Sequence, residues 1–368
     1  MIIKNGNVFC SDATFRQKDL YIHENKIIND KSLAENDDIV IDATDKYVIP
    51  GLVDIHSHGA MGHDFCDASV DGLKEILKYE KSCGVTSYCP TSMTLSAERL
   101  AKIFSTTGAV EPSDEYANVV GINMEGPFIS KNKKGAQNEM YITNPDIKMF
   151  ADLHEQSGKL IKLITLAPEL DGSKEFIEKY KDTVAISVGH TDANYEQATA
   201  AFINGANHVT HLCNAMPPFH HRDTGVFGAA IENENVTVEL ICDGIHIHPS
   251  MIRTIFKLFG SDRIALISDS MEATGMEDGD YELGKQRVIK KGHHATLADG
   301  TLAGSATNLF DCMKKAIEFG IAPVHAIKSA TMTPAKSINM YPQIGCLDVG
   351  SRADILILDN EYNLEKVL

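Results

Sequence analysis

No stretch of the chain approaches the ~20 consecutive apolar residues of a membrane-spanning helix. The start, Met1-Ile2-Ile3-Lys4-Asn5-Gly6-Asn7, lacks a charged segment followed by an apolar one, so no secretion signal is expected. The eight cysteines, at 10, 66, 83, 89, 213, 242, 312 and 346, form no Cys-x-x-Cys pair. In a chain of this length that pattern reads as reduced, mostly buried thiols in a cytoplasm, and it gives no support to thiolate metal ligation. Basic residues are in deficit: 34 lysines and arginines stand against 51 aspartates and glutamates, a net charge of −17. A nucleic-acid binder carries a basic face, so that class is set aside. An anionic small molecule is not, because the Debye length is about 8 Å at physiological salt and one local arginine outweighs a distant negative surface. Internal repeats and low-complexity segments are also missing. What is present is 43% hydrophobic and 23% charged residues, which excludes an intrinsically disordered chain. The 368 residues suit two domains, or one large barrel with an attachment.

The texture changes at residue 50. Residues 1–49 hold short β-favouring runs (Ile2-Ile3, Val8-Phe9, Leu20–Ile22, Lys26–Ile28, Ile39–Ile41) separated by Asn, Asp and Gly. Residues 353–359 repeat that texture, so strands from both termini are expected to pair in one small β-sandwich, 1–49 plus 340–368. Part of 281–302 is expected to join it. Between 50 and 339, eight apolar runs alternate with helical patterns: Leu52–His56, Val85–Cys89, Val119–Met124, Ile161–Leu166, Val184–Val188, His208–Leu212, Val236–Cys242 and Ile264–Ser268. Eight βα units predict an α/β fold, a (β/α)8 TIM barrel. The alternation alone also permits a doubly wound sheet.

Barrel function sits at the C-terminal ends of strands, and six of the eight runs end in His, Glu or Asp. The first ends Asp54-Ile55-His56-Ser57-His58, where period-two alternation puts both histidines on one side. Glu125, His190, His211, the Asp243–His246 segment and Asp269 follow later runs. A lone histidine at a strand end is usually a hydrogen-bonded structural residue, and a lone acid before a helix is usually a cap. The conjunction argues otherwise: four imidazoles and two carboxylates at one barrel mouth are costly to hold together without a cation. Mixed imidazole and carboxylate donors suit Zn²⁺ or Fe²⁺, with Mn²⁺, Co²⁺ and Ni²⁺ compatible. His23, His154, His293, His294 and His325 read as surface or packing residues. His208 lies at the wrong end of its run, and His63 and His248 have no defined role.

Pro50–Gly59 resembles the first strand of the amidohydrolase superfamily. The segments 124–128 (MEGPF), 189–193 (GHTDA), 211–216 (HLCNAM), 243–246 (DGIH) and 302–305 (LAGS), in this order, look like the N-acetylglucosamine-6-phosphate deacetylase family. The resemblance covers nearly the whole chain. It implies a metal held by Glu125, His190 and His211, with His56 and His58 at positions that carry a second metal in some members. It further implies Asp269 as the catalytic acid/base at the metal. His246 and Arg222 match positions that contact the sugar phosphate, with Arg222 reaching into the neighbouring subunit of a homodimer. Ala136, Asn214, Ala215 and the Leu302-Ala303-Gly304 turn match substrate-contacting positions. The expected reaction is metal-dependent hydrolysis of N-acetyl-D-glucosamine 6-phosphate to D-glucosamine 6-phosphate and acetate.

One departure is Gln137, where many members carry a histidine that polarises the acyl oxygen. An amide still donates to an oxyanion but carries no positive charge. The residues do not separate the gluco from the galacto epimer. On the His-x-His pair alone, another amidohydrolase acting on a small amide stays open. Many of those use a carboxylated lysine on the fourth strand, but Lys162 lies at the start of that run, away from the mouth.

Overall fold

Eight short strands, buried along nearly their whole length, surround the centre of the fold, which the computed structural model describes over residues 1–34 and 39–368. Numbered in chain order they are β1 (Leu52–Ser57), β2 (Val85–Ser92), β3 (Ile122–Glu125), β4 (Ile161–Leu166), β5 (Ala185–Val188), β6 (His208–Val209), β7 (Thr237–Ile241) and β8 (Ile264–Ile267). All neighbouring pairs from β1 to β8 are parallel. The ring closes where Asp269 N–H donates to the His56 carbonyl (2.9 Å) and His58 N–H donates to the Ser270 carbonyl (2.8 Å). A parallel sheet covered by helices is buried on both faces, which is why these strands read as apolar runs rather than as alternating patterns. The expected TIM barrel is the fold that forms.

The covering helices begin where the sequence supplies caps. Ser69, Ser96, Asp146, Asn194 and Asn308 each accept a backbone N–H from the first turn of the helices Val70–Ser82, Ala97–Thr107, Ile147–Gln156, Tyr195–Asn204 and Leu309–Glu318. Only Ile161–Leu166 keeps both expected limits, and two of the other changes have a local cause. The third run splits into Asn118–Val119 and β3, with Gly121 between them, where a Cβ would stand 2.4 Å from the Lys162 side chain. The sixth run stops after Val209, because His211 turns into the left-handed region at φ 26°.

Strands from both termini share one seven-stranded sheet, in which Tyr47–Pro50 pairs antiparallel with Ile355–Leu358. Ile3, Val8, Leu20, Ile22, Val48 and Ile355 fill a core of its own. The expected pairing of part of 281–302 with this sheet does not form. Gly279–Leu283, Gln286–Lys291 and His294–Thr296 make a separate three-stranded sheet. The reason is local: Gly284 and Lys285 both have positive φ (55° and 69°), the geometry of a tight two-residue hairpin, so the strands pair with each other. This hairpin stands at the barrel mouth, where the Gln286 amide donates to the Ala136 carbonyl.

Phe150 anchors the packing of the Ile147–Gln156 helix. It is fully buried and meets Phe176 and Tyr180 edge-on at 5.2 and 4.5 Å. Phe150→Ala is expected to lower the unfolding free energy by about 3–5 kcal/mol, measured by urea denaturation, through lost burial and the cavity left behind.

Candidate active site

The strand ends deliver their polar side chains to one place. His58, Glu125, His190, His211 and Asp269 line a cavity of about 360 Å³, together with Ala136, Gln137, Asn214, Ala215, His246, Leu302 and Gly304. His56 and Ala303 lie behind this lining, both fully buried. Arg222 does not line it: it sits in an exposed loop, with Nη1 2.9 Å from His221 Nε2.

Two three-residue groups have donor atoms close enough to hold an ion: Glu125/His190/His211 and His56/His58/Glu125, all within 4.8 Å in each group. Glu125 is common to both. Its Oε1 is 3.0 Å from His190 Nε2 and 3.1 Å from His211 Nε2. On the other side, Oε1 is 3.4 Å from His56 Nε2, and Oε2 is 3.4 Å from His58 Nε2. Asp269 belongs to neither group, but its Oδ1 is 3.3 Å from His58 Nε2 and 3.6 Å from His56 Nε2.

The outer nitrogens decide what these groups require. His190 Nδ1 is 2.8 Å from the Lys133 carbonyl and His58 Nδ1 is 3.1 Å from the Thr91 carbonyl. A carbonyl only accepts, so each Nδ1 carries a proton and each ring aims its Nε2 inward, where a neutral ring presents a lone pair. His56 Nδ1 likewise faces the Glu239 carboxylate at 2.9 Å, and its Nε2 has no hydrogen-bond partner. Lone pairs aimed at carboxylates repel unless a proton or a cation lies between them. Without a cation the groups compensate by protonation. Burial alone would lower the His56 imidazole, but the Glu239 and Glu125 carboxylates raise it well above its ordinary value. Burial alone would raise Glu125, but His56 and His190 hold it well below the carboxylate range. The donor set therefore fits a divalent cation in either group.

Backbone strain accompanies the convergence. His190, His211 and Asp269 adopt φ of 46°, 26° and 50°. Such residues cost about 1–3 kcal/mol each and persist where neighbours over-determine them. Here Ser130 N–H donates to the His190 carbonyl, Glu239 Oε2 accepts from His211 N–H, and Ser305 N–H donates to the Asp269 carbonyl.

Gln137 is buried with both ends of its amide engaged. Its Nε2 donates to Glu125 Oε2 and its Oε1 accepts from Thr94 N–H, both at 2.6 Å. In this geometry the amide holds a metal-group carboxylate rather than standing free toward an acyl oxygen. His246 Nδ1 is fixed by Asp243 Oδ2 at 2.7 Å; burial opposes the imidazolium, but Asp243 raises it above its ordinary value.

Some site residues were not anticipated. Asn132, Lys133 and Gly135 reach the cavity on the loop after β3, Leu283 on the hairpin, and Met93 and Thr301 from other loops. Glu239 also escaped notice, although an acid in the middle of the apolar run 236–242 is itself a signal. Three of the other histidines keep structural places: His248 caps the helix Pro249–Phe259, His325 bonds Ser261, and His154 stacks on Phe150.

The amidohydrolase family matches residues 47–367. A curated relative from Bacillus subtilis (strain 168), an N-acetylglucosamine-6-phosphate deacetylase, is 36% identical over 98% of this chain and 90% of its own length. One of the same name from Danio rerio is 34% identical over 93% and 89%. Among solved structures, a mutant N-acetyl-D-glucosamine-6-phosphate deacetylase from Mycobacterium smegmatis in complex with N-acetyl-D-glucosamine-6-phosphate superposes with a TM-score of 0.91. It is 29% identical, covering 100% of this chain and 97% of that one. The Thermotoga maritima N-acetylglucosamine-6-phosphate deacetylase gives 0.88 at 28% identity, covering 100% and 98%. With its barrel, its shared-carboxylate site and these likenesses, the chain belongs to the amidohydrolase family, in the branch of the N-acetylglucosamine-6-phosphate deacetylases.

Proposed function

We propose that the protein hydrolyses the N-acetyl group of N-acetyl-D-glucosamine 6-phosphate to give D-glucosamine 6-phosphate and acetate. The observation that carries this is the cavity where Glu125, His190, His211 and Asp269 meet the predicted sugar-contacting residues Ala136, Asn214, Ala215, His246, Leu302 and Gly304. Glu125, His190 and His211 would hold one divalent ion, and His56 and His58 with Glu125 a second; nitrogen and oxygen donors favour Zn²⁺ or Fe²⁺. When bound, such an ion polarises an acyl carbonyl and lowers the pKa of water toward about 7.

The side chains supply the remainder. Asp269 accepts the proton of the attacking water as the C–O bond forms. It then delivers that proton to the amide nitrogen, which leaves as an amine once the C–N bond breaks. Burial works against an ionised Asp269, but its contact with His58 holds its carboxyl below the usual value, which favours the form that accepts a proton. His246, whose imidazolium burial disfavours but Asp243 favours, is placed to meet the sugar phosphate. The exposure of Arg222, away from its own cavity, supports the reading that it serves the neighbouring site of a homodimer. All eight cysteines are free, and no described helix is long and apolar enough to cross a membrane, which supports a cytoplasmic setting.

Acetate release tests the reading, with the phosphorylated gluco sugar, its unphosphorylated form and the galacto epimer in parallel, each with and without a chelator. Chelator-sensitive turnover that strongly favours the phosphorylated gluco sugar over both controls is expected; no turnover by metal-loaded protein would refute it. Asp269→Asn is expected to lower kcat about 10²–10⁴-fold, the usual worth of a positioned acid/base, and retained activity would remove Asp269 from that role. Arg222→Ala is expected to raise KM for the phosphorylated sugar roughly 10–150-fold, corresponding to about 1.5–3 kcal/mol for a charge-assisted contact, with little effect on the unphosphorylated one. An unchanged ratio of the two substrates would count against the phosphate contact.

A further inference from the structure

Glu239 takes no part in the reaction as described, yet it lies beneath both ion seats. It is fully buried in the middle of β7, between Val238 and Leu240. A carboxylate there is costly to desolvate unless it is bonded. Its Oε2 takes two donors, His56 Nδ1–H at 2.9 Å and the His211 backbone N–H at 3.0 Å. These donors arrive from different parts of the barrel, one on β1 and one just past β6.

Both seats meet this carboxylate, but the second meets it through a ligand ring, the His56 imidazole, and the first only through the main-chain N–H of His211. His190 and His58 are each fixed through Nδ1 by a backbone carbonyl, a neutral acceptor that no substitution removes. His56 is fixed by a charged side chain, and its other nitrogen has no hydrogen-bond partner. Charge balance points the same way. Glu125 is shared between the two seats, so two dications there would have only its charge and that of Asp269 beside them. A carboxylate bonded behind His56 adds charge beside the second seat and makes the ring a stronger donor.

We propose that Glu239 is a positioning residue that turns His56 Nε2 into the second seat and supplies the negative charge which lets that seat hold its own ion. The inference rests on the reading that both seats take divalent cations, but not on the identity of the sugar.

The test counts ions. Chelator-stripped protein is equilibrated with Zn²⁺ at buffered free concentrations. Bound zinc is measured by elemental mass spectrometry, and both dissociation constants come from competition with a chromophoric chelator. Wild type is expected to bind two ions. Glu239→Leu is expected to weaken the weaker ion by about 10–100-fold, the usual effect of removing an outer partner of a ligand, while the tighter ion stays within a few-fold. Glu239→Gln keeps an oxygen for both donors but lacks the charge, so it is expected to fall between the two. The proposal is overturned by a wild type that binds one ion, by a Leu variant that binds the second ion as tightly as wild type, or by equal weakening of both ions. Should the Leu variant fail to fold by circular dichroism, the Gln variant decides, and a second-ion affinity equal to that of wild type overturns the proposal. Protein that binds two ions but releases no acetate would refute the sugar reading and leave the role of Glu239 intact.

Discussion

Imidazole lone pairs pointed at carboxylates inside a buried mouth are repulsive, and much of the structure exists to hold them there. The barrel solves the placement: each parallel strand ends at the same rim, so residues distant in sequence meet without a long connecting loop. Fixing them is done by the backbone. The Lys133 and Thr91 carbonyls set two imidazole tautomers, and the main-chain bonds around His190 and Asp269 hold a left-handed turn at each. A cation seated there would turn the repulsion into a ligand shell, and ion binding would then be coupled to local order.

The barrel and the cluster at its mouth were legible in the sequence for different reasons. Strands buried on both faces leave continuous apolar runs, and a polar residue at the end of such a run has few structural explanations. His56, His58, Glu125, His190, His211 and Asp269 all lie at or just beyond these ends, and the structure gathers all six. What was not legible depends on tertiary geometry. Nothing in the His208–Leu212 run announces that the chain turns at His211. In the 281–302 segment the signal was local but slight, one glycine, Gly284, at the turn that pairs the strands with each other. Gln137 was linked to the acyl oxygen only by the resemblance, as the counterpart of a histidine in many members, and no sequence pattern foretold that its amide bonds Glu125 and Thr94.

The division of labour follows from this geometry. Strand ends carry the chemistry, while the segments that break the barrel rhythm enclose it. The loop after β3 brings Lys133, Gly135 and Gln137, and the hairpin and the turn after it bring Leu283, Thr301, Leu302 and Gly304. These walls come from stretches whose local periodicity carries little information, so substrate shape is harder to read from sequence than reaction type.

The pairing of Tyr47–Pro50 with Ile355–Leu358 has a consequence for how the chain is made. The two partners are separated by roughly 300 residues, and ribosomes add about 5–20 residues per second. The N-terminal strand therefore spends on the order of 15–60 s with an open edge before its partner emerges. During that interval the backbone of Val48 and Ile49 presents unpaired donors and acceptors able to template contact with another nascent chain. Synthesis is thus the stage at which this protein is most exposed to aggregation, and the terminal sheet is among the last parts of the molecule to close.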